Sequence, residues 1–310
     1  MDFKQLEIFC VLSVELHFSR TARKCHLTSS AVTRTIQRLE EELGVVLLVR
    51  SKRHVELTSA GKVFAQYAQS AIKDWHHVKI SLESQSTRLT GSLRIYGSVT
   101  ASYTILSPLL ESFRQAFPGV EILMHTGDQA DAVSRIQEGH EDVGITARPE
   151  RLPVGLLFKS LTFTPLRFIM PADHGHIGRR LGQIRGGRGF SFQDIADMPL
   201  ILPESGLLRD RLDASFRKSG RIPEIYAQVS GHEAIVGMVA LGLGIGVVPE
   251  LVIEHSPWRD KIRVVADAPV IQPFEIGLCA SKSGLEKPVV KAFWEVANPS
   301  LFTGELSGKE

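Results

Sequence analysis

Cysteine is scarce in this chain: Cys10, Cys25 and Cys279 are the only three among 310 residues. An odd, widely spaced set supplies neither a disulfide frame nor a zinc finger, and it fits a reducing cytoplasm. Long apolar runs are missing too, since none approaches the roughly 18 residues a membrane helix needs. The start, Met1-Asp2-Phe3-Lys4-Gln5-Leu6-Glu7, lacks the basic-then-apolar order of an export signal. We therefore expect a cytoplasmic protein with no membrane contact. Enzyme signatures are equally thin. There is no nucleophile elbow, P-loop or zinc-spaced His/Glu set. Leu241-Gly242-Leu243-Gly244-Ile245-Gly246 follows a helical stretch instead of opening one, which disfavours a dinucleotide site. Glu204, His232 and Glu233 have acid–base chemistry, but nothing organises them into a relay. No catalytic residue, metal or cofactor is expected.

A large charge of one sign is also absent: 36 Lys/Arg face 34 Asp/Glu, a net charge of +2. The distribution is uneven, however. Residues 1–90 hold 13 basic against 9 acidic side chains, and residues 17–54 hold 8 against 3. That is the footprint of a small DNA-binding module. With 43% hydrophobic and 23% charged residues the chain has compact cores, and its length suits two or three domains.

Residues 2–16 read as a helix with Phe3, Leu6, Phe9 and Leu12 inward. Ser19 is a candidate cap for a short helix around Ala22, and His26-Leu27-Thr28 reads as a turn with Thr28 as the next cap. A helix over 29–43 then places Val32, Ile36, Leu39 and Leu43 on one stripe. Its other face carries Ser30, Thr33, Arg34, Gln37 and Arg38, all hydrogen-bond donors to phosphates or base edges. By itself it is as readily a surface amphipathic helix with a solvated face. A short strand, a basic turn and a second strand over 45–57 form a hairpin beside it. As a wing, the hairpin sets Arg50, Lys52 and Arg53 at phosphates or in the minor groove; as an isolated feature it is a solvated turn. Together these segments favour a winged helix-turn-helix. Ser29, Ser30, Thr33, Arg34, Thr35, Arg38, Arg50, Lys52 and Arg53 are its candidate DNA contacts.

From Thr58 a long helix is expected to about Ser84. Phe64, Ala68, Ala71, Trp75, Val78 and Leu82 alternate in steps of four and three, which reads as a dimer seam. The alternative, a helix packed on its own domain, has little core available in residues 1–57. A polar linker follows. Strand and helix patterns then alternate from Leu93, with strands ending near Gly97, His125, Thr146, Met170, Leu202, Val229, Pro249 and Ala280. A parallel α/β domain in two lobes is expected, with a cleft at the strand C-termini. Residues 178–189 are a Gly/Arg-rich surface loop, with RNA contacts the lesser reading.

Phe18-Ser19-Arg20-Thr21-Ala22-Arg23, the run from Ser30 to Glu40, Leu43-Gly44 and Leu57-Thr58-Ser59-Ala60-Gly61 resemble the LysR-type transcriptional regulators over nearly the whole chain. The resemblance implies double-stranded operator DNA, RNA polymerase and a small effector as partners, and a homodimer assembling to a tetramer. It implies a DNA-binding domain over 1–58, a linker helix and hinge over 59–91, and a periplasmic-binding-protein-like effector domain. The first lobe of that domain would take 92–163 and 268–310, the second 164–267.

Ser98-Val99-Thr100-Ala101-Ser102, the run from Gly127 to Ala132, that from Gly231 to Gly242 and that from Pro273 to Ala280 are similar to the branch of the family that activates branched-chain amino-acid biosynthesis genes. That likeness implies an acetohydroxy acid, 2-acetolactate or 2-aceto-2-hydroxybutyrate, as inducer. A small anion suits backbone N–H groups at helix starts. Ser98, Thr100, Ala101, Thr126, Arg148, Glu204, Gly231 and His232 are the candidate effector contacts, with Arg148 offsetting the ligand's charge. Thr35 stands where many relatives carry Gln, so their operator sequence does not transfer.

Overall fold

The computed structural model describes residues 1–50, 55–84, 89–173 and 190–302. It divides into two compact units, one of Met1–Leu89 with Ser112–Pro118 and Val296–Glu310, the other of Thr90–Glu111 and Gly119–Glu295.

In the first unit α1 (Phe3–Glu15) is opened by a reciprocal cap between Asp2 and Gln5. Helix α2 (Phe18–Lys24) is capped by His17, whose ring accepts the Arg20 N–H, so the cap sits two residues before the expected Ser19. His26 turns the chain at a positive φ of 54°, and Thr28 caps α3 (Ser29–Leu43) as its spacing predicts. Strands β1 (Leu48–Arg50) and β2 (Val55–Leu57) pair antiparallel as the hairpin. Val32, Ile36 and Leu39 are fully buried, but Leu43, at the helix end, remains 38% exposed.

Helix α4 (Ser59–Ser84) corrects the seam reading. Phe64 and Ala68 are buried in the unit's own core with Leu6, Phe9, Leu12 and Ile72, and half-buried Ala71 packs against it. Phe64 meets Phe9 edge-on with ring centroids 5.0 Å apart, and Trp75 meets Phe3 at 5.1 Å. The physical reason is that three short helices cannot enclose Phe9 and Leu12 without a fourth wall. Burying each large apolar side chain stabilises by about 1.5–3 kcal/mol, so α4 first serves its own domain. Among its described side chains, Val63, Tyr67 and Trp75 are the exposed large apolar ones. The side chains of Val78 and Leu82, like Lys52, Arg53 and the Gly/Arg-rich segment, lie outside the described residues.

From Thr90 the chain alternates β3 (Gly91–Gly97), α5 (Val99–Ala101) running through a π turn into α6 (Ser107–Ala116), β4 (Val120–Thr126), α7 (Ala132–Gln137) and β5 (Val143–Ala147). Next come β6 (Leu156–Pro171), α8 (Phe192–Ala196), β7 (Leu200–Pro203), α9 (Leu207–Ser219), β8 (Ile225–Val229), α10 (His232–Ala240), β9 (Ile245–Pro249) and α11 (Glu250–Glu254). Then follow β10 (Ile262–Val264), β11 (Ile271–Ser281) and α12 (Pro288–Val296). Hydrogen bonding runs β4-β3-β5-β11-β6-β9-β7-β8, with β10 beside β6.

The expectation of a parallel domain needs correction, because the sheet is mixed. β4-β3-β5 and β9-β7-β8 are parallel wings, but β11 and β6 between them are antiparallel to each other and to their outer neighbours. β6 pairs with β11 through its first part and with β9 and β10 through its last, so one strand serves both halves. The sequence pattern breaks at Pro165, where a strand cannot donate to its ladder. In the structure the β11 register shifts between Ile271 and Phe274, opposite that proline.

Candidate nucleic-acid interface and effector cleft

On α3 the buried stripe fixes what faces out. Ser30, Arg34, Gln37 and Arg38 are exposed, and Thr33 and Thr35 are half-buried on the flanks. Thr28 accepts the Ala31 N–H at 3.2 Å and contacts the Ser30 hydroxyl at 3.0 Å, which orders the helix start. Ser29 reaches Ser19 of α2 at 3.4 Å, and Thr33 donates back to the Ser29 carbonyl at 2.9 Å. Arg34 and Arg38 form no ion pair among the described residues, so both guanidinium groups are available. Two of the nearby acids are already engaged. Glu40 accepts the N–H groups of Leu47 and Leu48, at 2.8 and 3.2 Å, tying the hairpin to α3, and Glu42 pairs with the terminal amine.

Thr58-Ser59-Ala60-Gly61 acquires a physical meaning here. Thr58 donates its hydroxyl to the Val46 carbonyl at 2.8 Å and its N–H to Leu47 at 3.0 Å, and accepts from Gly61 at 2.9 Å. A Cβ on Gly61 would lie 2.1 Å from the Leu47 oxygen. Only glycine lets α4 press on the segment leading into β1. Arg50 belongs to β1, paired with Val55; its side chain, like all of Lys52 and Arg53, is not described.

In the second unit the C-terminal ends of β3, β5, β7 and β8 converge on a cleft. One open pocket of about 560 Å³, its solvent mouth included, is lined by Asp128, Gln129, Thr146, Gly206, Gly231 and His232 among others. A neighbouring one of about 380 Å³ has Ser98, Thr100, Ala101, Thr146, Thr164 and His232 in its wall. Two carboxylates cross from one half to the other. Oε1 of Glu233 accepts both the N–H of Thr100, at 2.9 Å, and its hydroxyl, at 2.6 Å. Oδ2 of Asp128 accepts from the Ser230 hydroxyl, at 2.7 Å, and the Gly231 N–H, at 2.9 Å. Burial pushes the Asp128 carboxyl up, but hydrogen bonds from Ala130, Ser230 and Gly231 and the nearby His232 outweigh it, leaving the carboxyl below its ordinary value. Burial lowers His232 despite Glu233 and Asp128, so the ring is neutral near pH 7. A neutral imidazole donates one hydrogen bond and accepts another; it does not supply charge.

The cleft therefore gathers Ser98, Thr100, Ala101, Gly231 and His232 from the sequence-derived set. It does not gather the other three. Thr126 is exposed at the end of edge strand β4, and Glu204 is exposed with its N–H donated to Val229. Arg148 is held outward by Glu275 at 3.3 Å, over the Phe158 ring, so its charge is already matched. Gln129, Thr146, Thr164 and Asp128 are cleft residues the sequence reading did not single out, and Glu233, named there only for its acid–base chemistry, joins them on Thr100. Thr146 at a strand end was the accessible signal. Thr164 was hidden with the unread first part of β6.

Comparison with known proteins is consistent across the chain. The profile of the bacterial regulatory helix-turn-helix protein, lysR family, matches residues 3–62, and that of the LysR substrate binding domain matches 86–301. The HTH-type transcriptional regulator IlvY of Escherichia coli K12 is 38% identical over 96% of this chain and 98% of its own length. The HTH-type transcriptional activator IlvY of Haemophilus influenzae is 39% identical over 95% and 99%. Among solved structures, HinK, a LysR family transcriptional regulator from Pseudomonas aeruginosa, shares the fold. Its TM-score is 0.54 at 23% identity, over 98% of this chain and 99% of that one.

Proposed function

Because the chain belongs to the LysR family of DNA-binding transcription regulators, we propose that it activates branched-chain amino-acid biosynthesis genes in response to an acetohydroxy acid. The inducer is 2-acetolactate or 2-aceto-2-hydroxybutyrate; a second reading keeps the regulator and substitutes another small carboxylate. The observation that carries the ligand class is the convergence of the Thr100 N–H and hydroxyl on a single carboxylate oxygen inside the cleft. Two aligned donors in a half-dry wall recognise an anion without a cationic side chain. The identity to proteins named IlvY supports the gene set.

In this reading α3 enters the major groove through Ser30, Arg34 and Arg38, and the hairpin lies along the phosphates. Two copies meet along the outward face of α4 through Val63, Tyr67 and Trp75, and dimers pair to a tetramer that engages RNA polymerase. Inducer changes the relation of the two halves of the second unit, which changes the spacing of the DNA-reading heads. Only a difference in ligand affinity between the two arrangements drives that shift. Calorimetric titration with 2-acetolactate, with pyruvate and valine as controls, tests it. Saturable binding of acetolactate alone is expected. Binding of pyruvate with equal affinity would remove the acetohydroxy-acid assignment.

A further inference from the structure

The two donors that suit a ligand carboxylate are not free. Thr100 is 2% exposed, and both its N–H and its hydroxyl are directed at the same oxygen of Glu233. Glu233 stands in the first turn of α10, on the opposite side of the cleft, while Thr100 follows β3. The contact therefore joins the two halves and fills the seat at once. Asp128 makes the mirror arrangement, crossing in the other direction onto Ser230 and Gly231. Tyr103 closes the side of the seat, its hydroxyl 3.4 Å from that of Thr100. Gly231, just before α10, sits at φ +82°, a left-handed conformation that favours glycine.

We propose that Glu233 is an internal competitor for the inducer: its carboxylate occupies the anion seat at Thr100, and a ligand carboxylate binds by displacing it. The proposal rests on the reading of the cleft as a small-carboxylate site. Two like charges cannot share the one N–H and one hydroxyl, so occupancy is exclusive. Displacement also breaks a clasp between the halves, which ties ligand entry to a change in their relation. Glu233 thereby determines which ligands register. A neutral ketone or alcohol has weaker acceptors than a carboxylate and does not evict it. Apparent affinity is the intrinsic affinity scaled by the fraction of molecules with the seat open.

The test compares the full-length wild type with E233A and E233Q. 2-Acetolactate binding is measured by calorimetry. Acetate, the bare carboxylate, is followed through the methyl resonance of Thr100, identified by its loss in T100V. E233A is expected to bind both ligands at least about tenfold more tightly. E233Q should fall between E233A and the wild type, because its amide oxygen still accepts but carries no charge. A residue that only holds the halves in a binding-competent arrangement gives the opposite sign, weaker binding in E233A, and that result overturns the proposal. Unchanged acetate affinity, or no acetate binding to E233A, overturns it as well. If acetate binds E233A more tightly while acetolactate binds neither protein, the competitor stands and the acetohydroxy-acid reading falls.

Discussion

Arg34→Ala separates the DNA-reading role proposed for α3 from its structural role. The side chain is exposed on the face opposite Val32 and Ile36, and it makes no ion pair among the described residues. Alanine is the better helix former, and surface changes of this kind move stability by less than about 0.5 kcal/mol. Fold and oligomer should survive unchanged. If Arg34 grips a guanine edge bidentately, each recognition helix loses about 1–3 kcal/mol, or about 5- to 150-fold in affinity, and discrimination relaxes at one base position. If it contacts a phosphate, affinity falls evenly across sequences and the slope of log affinity against log salt shrinks by about 0.9 per contact. Fluorescence anisotropy answers both questions, using DNA selected by the wild type from a randomised pool and salt from about 50 to about 200 mM. A thermal melt of the same samples guards against misfolding. Unaltered affinity and slope in a fully folded variant would refute the placement of α3 against DNA.

Gly61→Ala should lower the melting temperature and weaken DNA binding together, at a cost of about 1–3 kcal/mol, because the Leu47 carbonyl must retreat from a Cβ only 2.1 Å away; an unchanged melt would show that the segment yields freely. Thr100→Val preserves shape but removes the hydroxyl from the seat; induction of a reporter should fall while operator binding persists, and loss of both would mean the variant misfolds. The Asp128 carboxyl titrates below its ordinary value in the folded protein, so its clasp contributes fully above the unfolded value, about 3.9. It fades as pH falls through the lower folded value; Asp128→Asn should lack this acid-side loss in pH-dependent melts, and an identical acid limb would count against the clasp. Burial raises the Cys10 and Cys279 thiols to about 12 and 11. Neither should react with a disulfide reagent at pH 7.5 until denaturant is added, and rapid native labelling of either would contradict its enclosure.

Much of the first unit was legible because local periodicity and capping point the same way. Thr28 starts α3, the stripe of Val32, Ile36 and Leu39 orients it, and the polar donors are left outside. Sequence spacing could not say what covers Phe9. The same four-and-three spacing that describes a dimer seam also describes a helix closing its own core, and Phe64 and Ala68 took the second course. Likewise β6 was half hidden, since Pro165 reads locally as an end whereas the sheet absorbs it at a register shift.

The chain's own residues determined a basic helix-turn-helix with a hairpin, a long helix and an alternating α/β region, because each depends on patterns within a few turns or strands. The cleft was a different matter. Glu233 and Thr100 are 133 positions apart, and Asp128 and Gly231 are separated by 103. No local signal distinguishes a carboxylate facing solvent from one seated across a cleft. That choice was made by the long antiparallel strands β6 and β11, which bring two parallel wings together and turn their strand ends toward a common space.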